Sequence, residues 1–268
     1  MAEPERTDSP PVRREVSDGV ATITLARPDA LNALDQATKD ALRTAVLEAA
    51  ADPRVRCVLL AHEGRAFSVG QDLREHAALL EHGNPVQDTV PRDYNPVAQT
   101  LATMSKPVVA AVGGVAAGAG AAFAFAADFR VLGESASFNL AFAAVGLSAD
   151  SGASWTLPRL VGYARAAELL LRPRTVDAAT ALEIGLATSV VPDDRVLTEA
   201  TALALELAKG PTMAYAAIRQ ALAYSASHEL ADSLEREAEL QAQCGATQDH
   251  KNAVAAFLKK EQPTFEGR

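Results

Sequence analysis

One stretch, residues 107–120, constrains the fold more than any other part of the sequence. Residues 107–112 form a short, uninterrupted apolar run, PVVAAV, which is typical of a strand buried on both faces. Glycine-rich sequence follows directly and opens a small-residue helix that we expect to end near Ala127. A sheet that is buried on both faces needs helices on both sides, so this stretch predicts an α/β fold.

The first third of the chain repeats the alternation of strands with a helix. Strands are predicted at residues 19–25 (GVATITL) and 55–61 (VRCVLLA). Asp35 is placed to cap a helix that runs to about residue 51. Its buried face is predicted to carry Thr38, Leu42, Val46 and Ala49. The polar stretch 76–95 contains Tyr94 and is interrupted by proline, and we expect a long loop that shapes a binding site, followed by a short helix to about residue 104.

Beyond residue 152 the pattern becomes mostly helical. Helices are predicted at 163–171 and 177–182, a short strand at 189–191, and a series of helices from 193 to 260. We therefore expect three parts: a disordered tail over residues 1–14, an α/β core over 15–200 and a C-terminal helical region over 201–268.

The composition argues against several classes of function. The net charge is −9 and no basic patch is visible, which argues against a nucleic-acid partner. No apolar run reaches the length of about 18 residues that a membrane span needs, and the N-terminus lacks a signal-peptide core, so we expect a cytoplasmic protein with no membrane partner. The 5 histidines and 2 cysteines are scattered, which predicts neither a metal site nor a disulfide.

Four ordered segments resemble the crotonase superfamily of enoyl-CoA hydratases and isomerases. They are residues 25–34 (LARPDALNAL), 65–73 (RAFSVGQDL), 106–120 (KPVVAAVGGVAAGAG) and 150–162 (DSGASWTLPRLVG), and the ending 257–265 (FLKKEQPTF) is similar as well. The resemblance implies a crotonase (ClpP-like) fold, with a spiral of ββα repeats and a C-terminal helical trimerisation region. It also implies a homotrimer or homohexamer and an acyl-CoA thioester substrate. No separate cofactor is implied, since coenzyme A is part of the substrate.

The family's chemistry needs an oxyanion hole for the thioester oxygen. Two fixed backbone N–H groups stabilise the charge that develops there, and losing one donor costs roughly 3 kcal/mol. By resemblance, the donors are the N–H groups of Gln71 and Ala119, and Gly70 and Gly118 let the thioester approach the chain. Alone, these glycines could serve only to make turns. Their spacing does not fit the G-x-G-x-x-G of a dinucleotide fold, and no nucleophile elbow of a serine hydrolase is present.

The family's hydratases use two glutamates, and the matching positions here are Ala122 and Phe142. The acid that remains is Asp150, at a position where the resemblance places the acid of isomerases and aryl-CoA dehalogenases. Residues 150–159 are most similar to the branch that contains ring-1,2-epoxyphenylacetyl-CoA isomerase. Apolar neighbours, Phe142, Leu147 and Trp155, predict a raised pKa for the Asp150 carboxyl, as suits a base. Alternatively, Asp150 only caps the helix that follows.

The resemblance also names residues that would bind substrate. Arg27, Arg74 and, from a neighbouring subunit, Lys259 or Lys260 are candidates for the CoA phosphates, and each could equally be a solvated surface charge. The other candidates for the CoA track and the acyl pocket are Asn32, Ala33, Ala66, Phe67, Ser68, Val69, Gly70, Gly118, Phe142 and Trp155.

Three functions remain open from the sequence. The first is an enolate-forming enoyl-CoA isomerase, moving a double bond or rearranging a ring with Asp150 as base. The second is a hydratase or lyase with atypical catalytic groups. The third is a non-catalytic CoA-binding paralogue, since both glutamates are missing.

Overall fold

The computed structural model describes residues 10–81 and 88–268, which form two sheets and a set of surrounding helices. The strands are β1 Val12–Ser17, β2 Val20–Leu25, β3 Cys57–His62, β4 Ala66–Ser68, β5 Val108–Val112, β6 Val115–Ala117, β7 Phe129–Gly133, β8 Ser137–Asn139, β9 Thr175–Asp177 and β10 Ser189–Val191. The α-helices are α1 Gln36–Ala51, α2 Leu73–Glu81, α3 Asn95–Thr103, α4 Ala119–Phe125, α5 Ala153–Val161, α6 Tyr163–Leu171, α7 Ala178–Glu183, α8 Val196–Lys209, α9 Thr212–Ser225, α10 Leu230–Gly245 and α11 Gln248–Lys259.

From β3 to β8, successive strands alternate between the two sheets. The larger sheet has the order β1-β2-β3-β5-β7-β10 and the smaller one β4-β6-β8-β9. Strands β3, β5 and β7 pair in parallel in the first sheet, and β4, β6 and β8 pair in parallel in the second. Each step along the chain thus adds one strand to each sheet before a helix follows. This is the ββα spiral that the resemblance predicts.

The larger sheet is covered by helices on both faces. On one face, side chains such as Ile23, Leu60 and Val108 pack in a cluster with residues of α1, α3 and α4. On the other face, Leu59 and Val109 pack against α8. Neighbouring residues of one strand point to opposite faces, so each continuous apolar strand supplies both cores. The α/β prediction from residues 107–120 is confirmed.

Helix α1 begins where its capping residue predicts. The Asp35 carboxylate accepts a hydrogen bond from the Thr38 N–H at 2.9 Å, and the four residues predicted for its apolar face are all buried. No helix within residues 10–81 and 88–268 is long and apolar enough to cross a membrane.

Three predicted boundaries are wrong. Strand β1 begins at Val12, which pairs with Leu25, so the chain is ordered before the predicted tail ends at residue 14; residues 1–9 lie outside the described part. The division at 200/201 falls inside α8, because that helix packs on the large sheet and belongs to the core. The predicted loop 76–95 instead contains most of α2 and a five-residue π-helix, Val90–Tyr94, with residues 82–87 outside the described part.

Candidate active site

Two loops meet at the position predicted for the oxyanion hole. Gly70 has a φ of +78°, and a Cβ at this position would lie 2.8 Å from the Ala117 carbonyl oxygen and 3.2 Å from the Ala119 nitrogen. Both the backbone conformation and the contact therefore require glycine. The segment before Gln71 and the segment before Ala119 touch through their backbones.

The backbone of Gln71 is fixed by a single parallel bridge to Leu34. Leu34 N–H donates to the Gly70 carbonyl at 2.8 Å, and Asp72 N–H donates to the Leu34 carbonyl at 3.3 Å. Since the residues flanking Gln71 make these bonds, its own N–H points away from Leu34. Within the described residues the Gln71 N–H donates no hydrogen bond, so it is free to bind a ligand.

The second N–H belongs to Ala119, the first residue of α4. First-turn N–H groups have no partner within their own helix, and among the described residues that of Ala119 finds none elsewhere. Gly118 donates to the Asn139 carbonyl at 3.0 Å and has a φ of +52°. A Cβ at Gly118 would meet nothing within 4 Å, so there is open space beside the Ala119 N–H.

Asp150 is half-buried between a 3₁₀ turn, Ala143–Val145, and α5. Burial raises the pKa of its carboxyl, and a hydrogen bond from the Ser151 hydroxyl, 2.8 Å from Oδ1, partly opposes that rise. The residue that caps α5 is Gly152, and no side chain caps the helix. The alternative that Asp150 is a helix cap is therefore wrong.

The segment that holds Asp150 has an unusual backbone. Ser151 is buried and has a φ of +52°, and Gly152 follows with a φ of +79°. A non-glycine residue in this conformation is strained by roughly 1–3 kcal/mol, and such strain concentrates at functional sites. A Cβ at Gly152 would lie 3.7 Å from Ala98 of α3, so α3 supports this turn.

Tyr94 is hydrogen-bonded to the first loop, and the charge of Asp150 acts on it. Its hydroxyl donates to Gln71 Oε1, and burial together with the negative charge of Asp150 raises the pKa of the phenol. The charge of Asp150 therefore acts on a side chain that is hydrogen-bonded to Gln71. Sequence reasoning gave Tyr94 no role, because nothing in a polar, proline-interrupted stretch indicated which of its residues faces the site.

The two positions at which hydratases carry glutamate are apolar and buried. Ala122 lies within α4 with none of its surface exposed, and Phe142 is 8% exposed. Neither side chain can transfer a proton. Among the carboxylates whose charge acts on Tyr94, that of Asp150 has the largest effect.

The predicted phosphate ligands lie in different environments. The Arg27 guanidinium pairs with Asp35 at 3.0 Å and Asp72 at 3.5 Å, so it already neutralises two carboxylates of the chain. Arg74 is exposed on α2, and Lys259 and Lys260 are exposed at the end of α11.

Several of the remaining predicted residues hold the segment before α1 against β4, the strand that leads into the first loop. The Asn32 amide donates to the carbonyls of Glu63 and Ala66 at 2.9 and 2.7 Å, and the Ser68 hydroxyl donates to the Asn32 carbonyl at 2.8 Å. Ala33 and Phe67 are buried beside them, and Val69 is half-buried. Trp155 differs: it is 42% exposed, and the Arg159 guanidinium lies 4.1 Å from the centre of its ring.

The ββα spiral defines the class of protein as a crotonase fold. Residues 15–268 match the family model described as enoyl-CoA hydratase/isomerase. The chain belongs to the enoyl-CoA hydratase/isomerase family.

Individual relatives agree with this assignment over nearly the whole chain. A Rhodobacter capsulatus protein named as a probable enoyl-CoA hydratase is 40% identical over 96% of this chain and 98% of its own. The 1,2-epoxyphenylacetyl-CoA isomerase of Escherichia coli K12 is 38% identical over 94% and 97%. A Mycobacterium abscessus crystal structure assigned to the enoyl-CoA hydratases/isomerases superposes with a TM-score of 0.93 at 44% identity, covering 96% of this chain and 100% of the other.

Proposed function

We propose that this protein is an acyl-CoA isomerase that forms a thioester enolate, with Asp150 as the base. One observation carries the proposal: Asp150 is a half-buried carboxylate with a raised pKa, and its charge acts on the phenol that is hydrogen-bonded to Gln71, while both hydratase positions are apolar. The 38% identity to an isomerase over nearly the full chain is consistent with it.

In the proposed mechanism, the thioester oxygen accepts hydrogen bonds from the N–H groups of Gln71 and Ala119. The Asp150 carboxylate removes a proton from the α- or γ-carbon of the acyl group, and the electron pair moves to the thioester oxygen. The two N–H groups stabilise the resulting enolate by roughly 3 kcal/mol each. Asp150 then returns the proton to another carbon, so the reaction consumes neither water nor cofactor.

The phosphates of the substrate's coenzyme A would be bound by exposed cations. Arg74 follows the first loop directly, and its guanidinium has no carboxylate partner within the described residues, which favours it over Arg27. Lys259 and Lys260 would act on the site of a neighbouring subunit.

Isotope exchange tests the assignment. The protein is incubated in heavy water with aromatic and enoyl-CoA thioesters, and mass spectrometry follows deuterium uptake, isomer formation and water addition. We expect Asp150→Asn to reduce exchange by about 10²–10⁴-fold, as removal of a general base does, with CoA affinity unchanged. Asp194→Asn, which alters an exposed carboxylate in the 3₁₀ turn Asp193–Arg195, is the matched control and should exchange normally.

Each other outcome favours a different function. Net water addition by the unaltered protein would favour a hydratase or lyase with atypical groups. Tight binding without exchange would favour a non-catalytic CoA-binding paralogue. Equal loss of binding and exchange in Asp150→Asn would contradict the role of base.

We further propose that the protein self-associates, as a homotrimer or homohexamer, in the cytoplasm. The end of α11 exposes large apolar side chains, with Phe257 82% and Leu258 77% exposed. They border a groove of about 410 Å³ that is lined by Ala253, Val254, Phe257, Leu258, Glu261 and Pro263. Adjacent exposed apolar side chains of this kind are typical of an interface between subunits.

A further inference from the structure

Tyr94 touches both halves of the predicted hole. Its hydroxyl donates to the side chain of Gln71, and its ring meets that of Phe123 edge-on, with centroids 6.0 Å apart. Phe123 belongs to α4, the helix that begins at Ala119. A single side chain, only 3% exposed, therefore contacts the two segments that carry the two free N–H groups.

The backbone around Tyr94 is firmly anchored. Tyr94 ends the π-helix Val90–Tyr94, a rare conformation that is found most often at functional sites. The preceding residue, Asp93, has a fully buried carboxylate that pairs with Arg43 of α1 and with Arg92, each at 2.9 Å. Since α1 follows directly on the Leu34 bridge, the same part of the chain supports Tyr94 and the backbone of Gln71.

The Leu34 bridge does not fix the Gln71 side chain, and the hydrogen bond from Tyr94 does. The bridge fixes the backbone on either side of Gln71, and the side chain is then held at its amide oxygen by the phenol. Because burial and the nearby charge of Asp150 raise the pKa of Tyr94, the phenol stays protonated and remains a donor. It is therefore suited to hold a group in place and unsuited to remove a proton.

We propose that Tyr94 is a positioning residue of the oxyanion hole, which fixes the Gln71 side chain and so aims the Gln71 N–H at the thioester oxygen. The proposal rests on the proposed function, because it takes the Gln71 N–H as one of the two donors. It assigns Tyr94 no direct contact with the reacting carbon.

A double-mutant cycle tests the coupling. Tyr94→Phe removes the hydroxyl and keeps the ring, and Gln71→Met removes the acceptor at similar length. We expect each to lower the kcat for deuterium exchange about tenfold, the effect of one misplaced hydrogen bond, with KM unchanged. The double variant should be no slower than either single one. Tyr224→Phe, whose ring stacks on His228, is the matched control.

Binding of acetoacetyl-CoA measures how well the predicted oxyanion hole stabilises an enolate without turnover, since the bound enolate absorbs in the near ultraviolet. We expect Tyr94→Phe to bind butyryl-CoA normally and to reduce the enolate fraction of bound acetoacetyl-CoA about tenfold. If the unaltered protein stabilises this enolate but exchanges no protons, the role of Asp150 fails while that of Tyr94 stands. Three results would each overturn the proposal. They are additive losses of kcat in the double-mutant cycle, an unchanged enolate fraction in Tyr94→Phe, and no enolate with the unaltered protein.

Discussion

A carboxylate with a raised pKa destabilises the folded chain at neutral pH, and Asp150 is such a group. Its folded-state pKa lies above the ordinary value because of burial. The folded protein therefore holds this proton more tightly than the unfolded chain does. This tighter binding stabilises the fold fully when the pH is below the pKa that Asp150 has in the unfolded chain. The stabilisation is lost as the pH rises through the pKa that Asp150 has in the folded protein.

Replacing this carboxylate with a neutral amide of the same shape should stabilise the protein. We expect Asp150→Asn to raise Tm at pH 7 by about 2–4 °C, the shift that roughly 1 kcal/mol produces in a chain of this size. The difference should shrink as the pH falls through the folded pKa of Asp150 toward the ordinary carboxyl value, and calorimetry between about pH 4 and about pH 8 would follow it. A lower Tm at neutral pH would mean that the charge of Asp150 is stabilised by partners in the fold. Asp194→Asn serves as the exposed control.

Among the elements, the π-helix Val90–Tyr94 depends on its attachment to α1. Burial alone would raise the pKa of Asp93, but hydrogen bonds and charge from Arg92, with Gln36 and Lys39 adding to them, lower it overall. The ionised Asp93 carboxylate therefore stabilises the fold at any pH above the pKa that it has in the unfolded chain. This contribution is lost as the pH falls through the pKa that Asp93 has in the folded protein.

We expect Asp93→Asn to lower the free energy of unfolding by about 3 kcal/mol, the lower end for a broken buried pair, because both arginines keep contact with water. Urea unfolding at pH 7 would measure the loss. Asp40→Asn, which alters the more exposed partner of Arg43, is the matched control and should cost under about 1 kcal/mol. Equal losses for the two variants would contradict a special role for the buried carboxylate.

Elements with a strong local signal could be predicted from the sequence. Helix α6 and strand β10 lie where the pattern places them, and α1 begins at its Asp35 cap. The strands of the smaller sheet are three residues each, too short for an alternating pattern to be recognised. Helix α2 was missed because its apolar residues adjoin a polar, proline-containing stretch.

The residues of the candidate site, too, could be predicted only where the local sequence carries a strong signal. Gly70 could be identified because a close backbone approach demands glycine, and Gly118 because its backbone has a positive φ. The contact of Tyr94 with Gln71 could not, since it depends on how the π-helix is placed against α1. Asp150 was named from resemblance, and its capping alternative could be dismissed only once Gly152 was seen at the cap.

At the scale of the whole molecule, the exposed apolar end of α11 predicts an assembly. We expect the unaltered protein to sediment as a trimer or hexamer and Phe257→Asp/Leu258→Asp to sediment as a monomer, because a charge in an apolar interface has no partner. Leu47→Asp, at a site on α1 that is 45% exposed, should leave the assembly intact. A monomeric unaltered protein at micromolar concentration would contradict the prediction.

The pairing of β4 with β6 has a consequence for folding. These two strands lead into Gln71 and Ala119, and they are adjacent in space although α2, α3 and β5 separate them in the chain. The hole is therefore a non-local product of folding, absent from any partly folded chain in which the smaller sheet has not closed. An acyl-CoA that bound through both N–H groups would recognise only the native state, so the supply of this ligand would be thermodynamically linked to the lifetime of the folded protein.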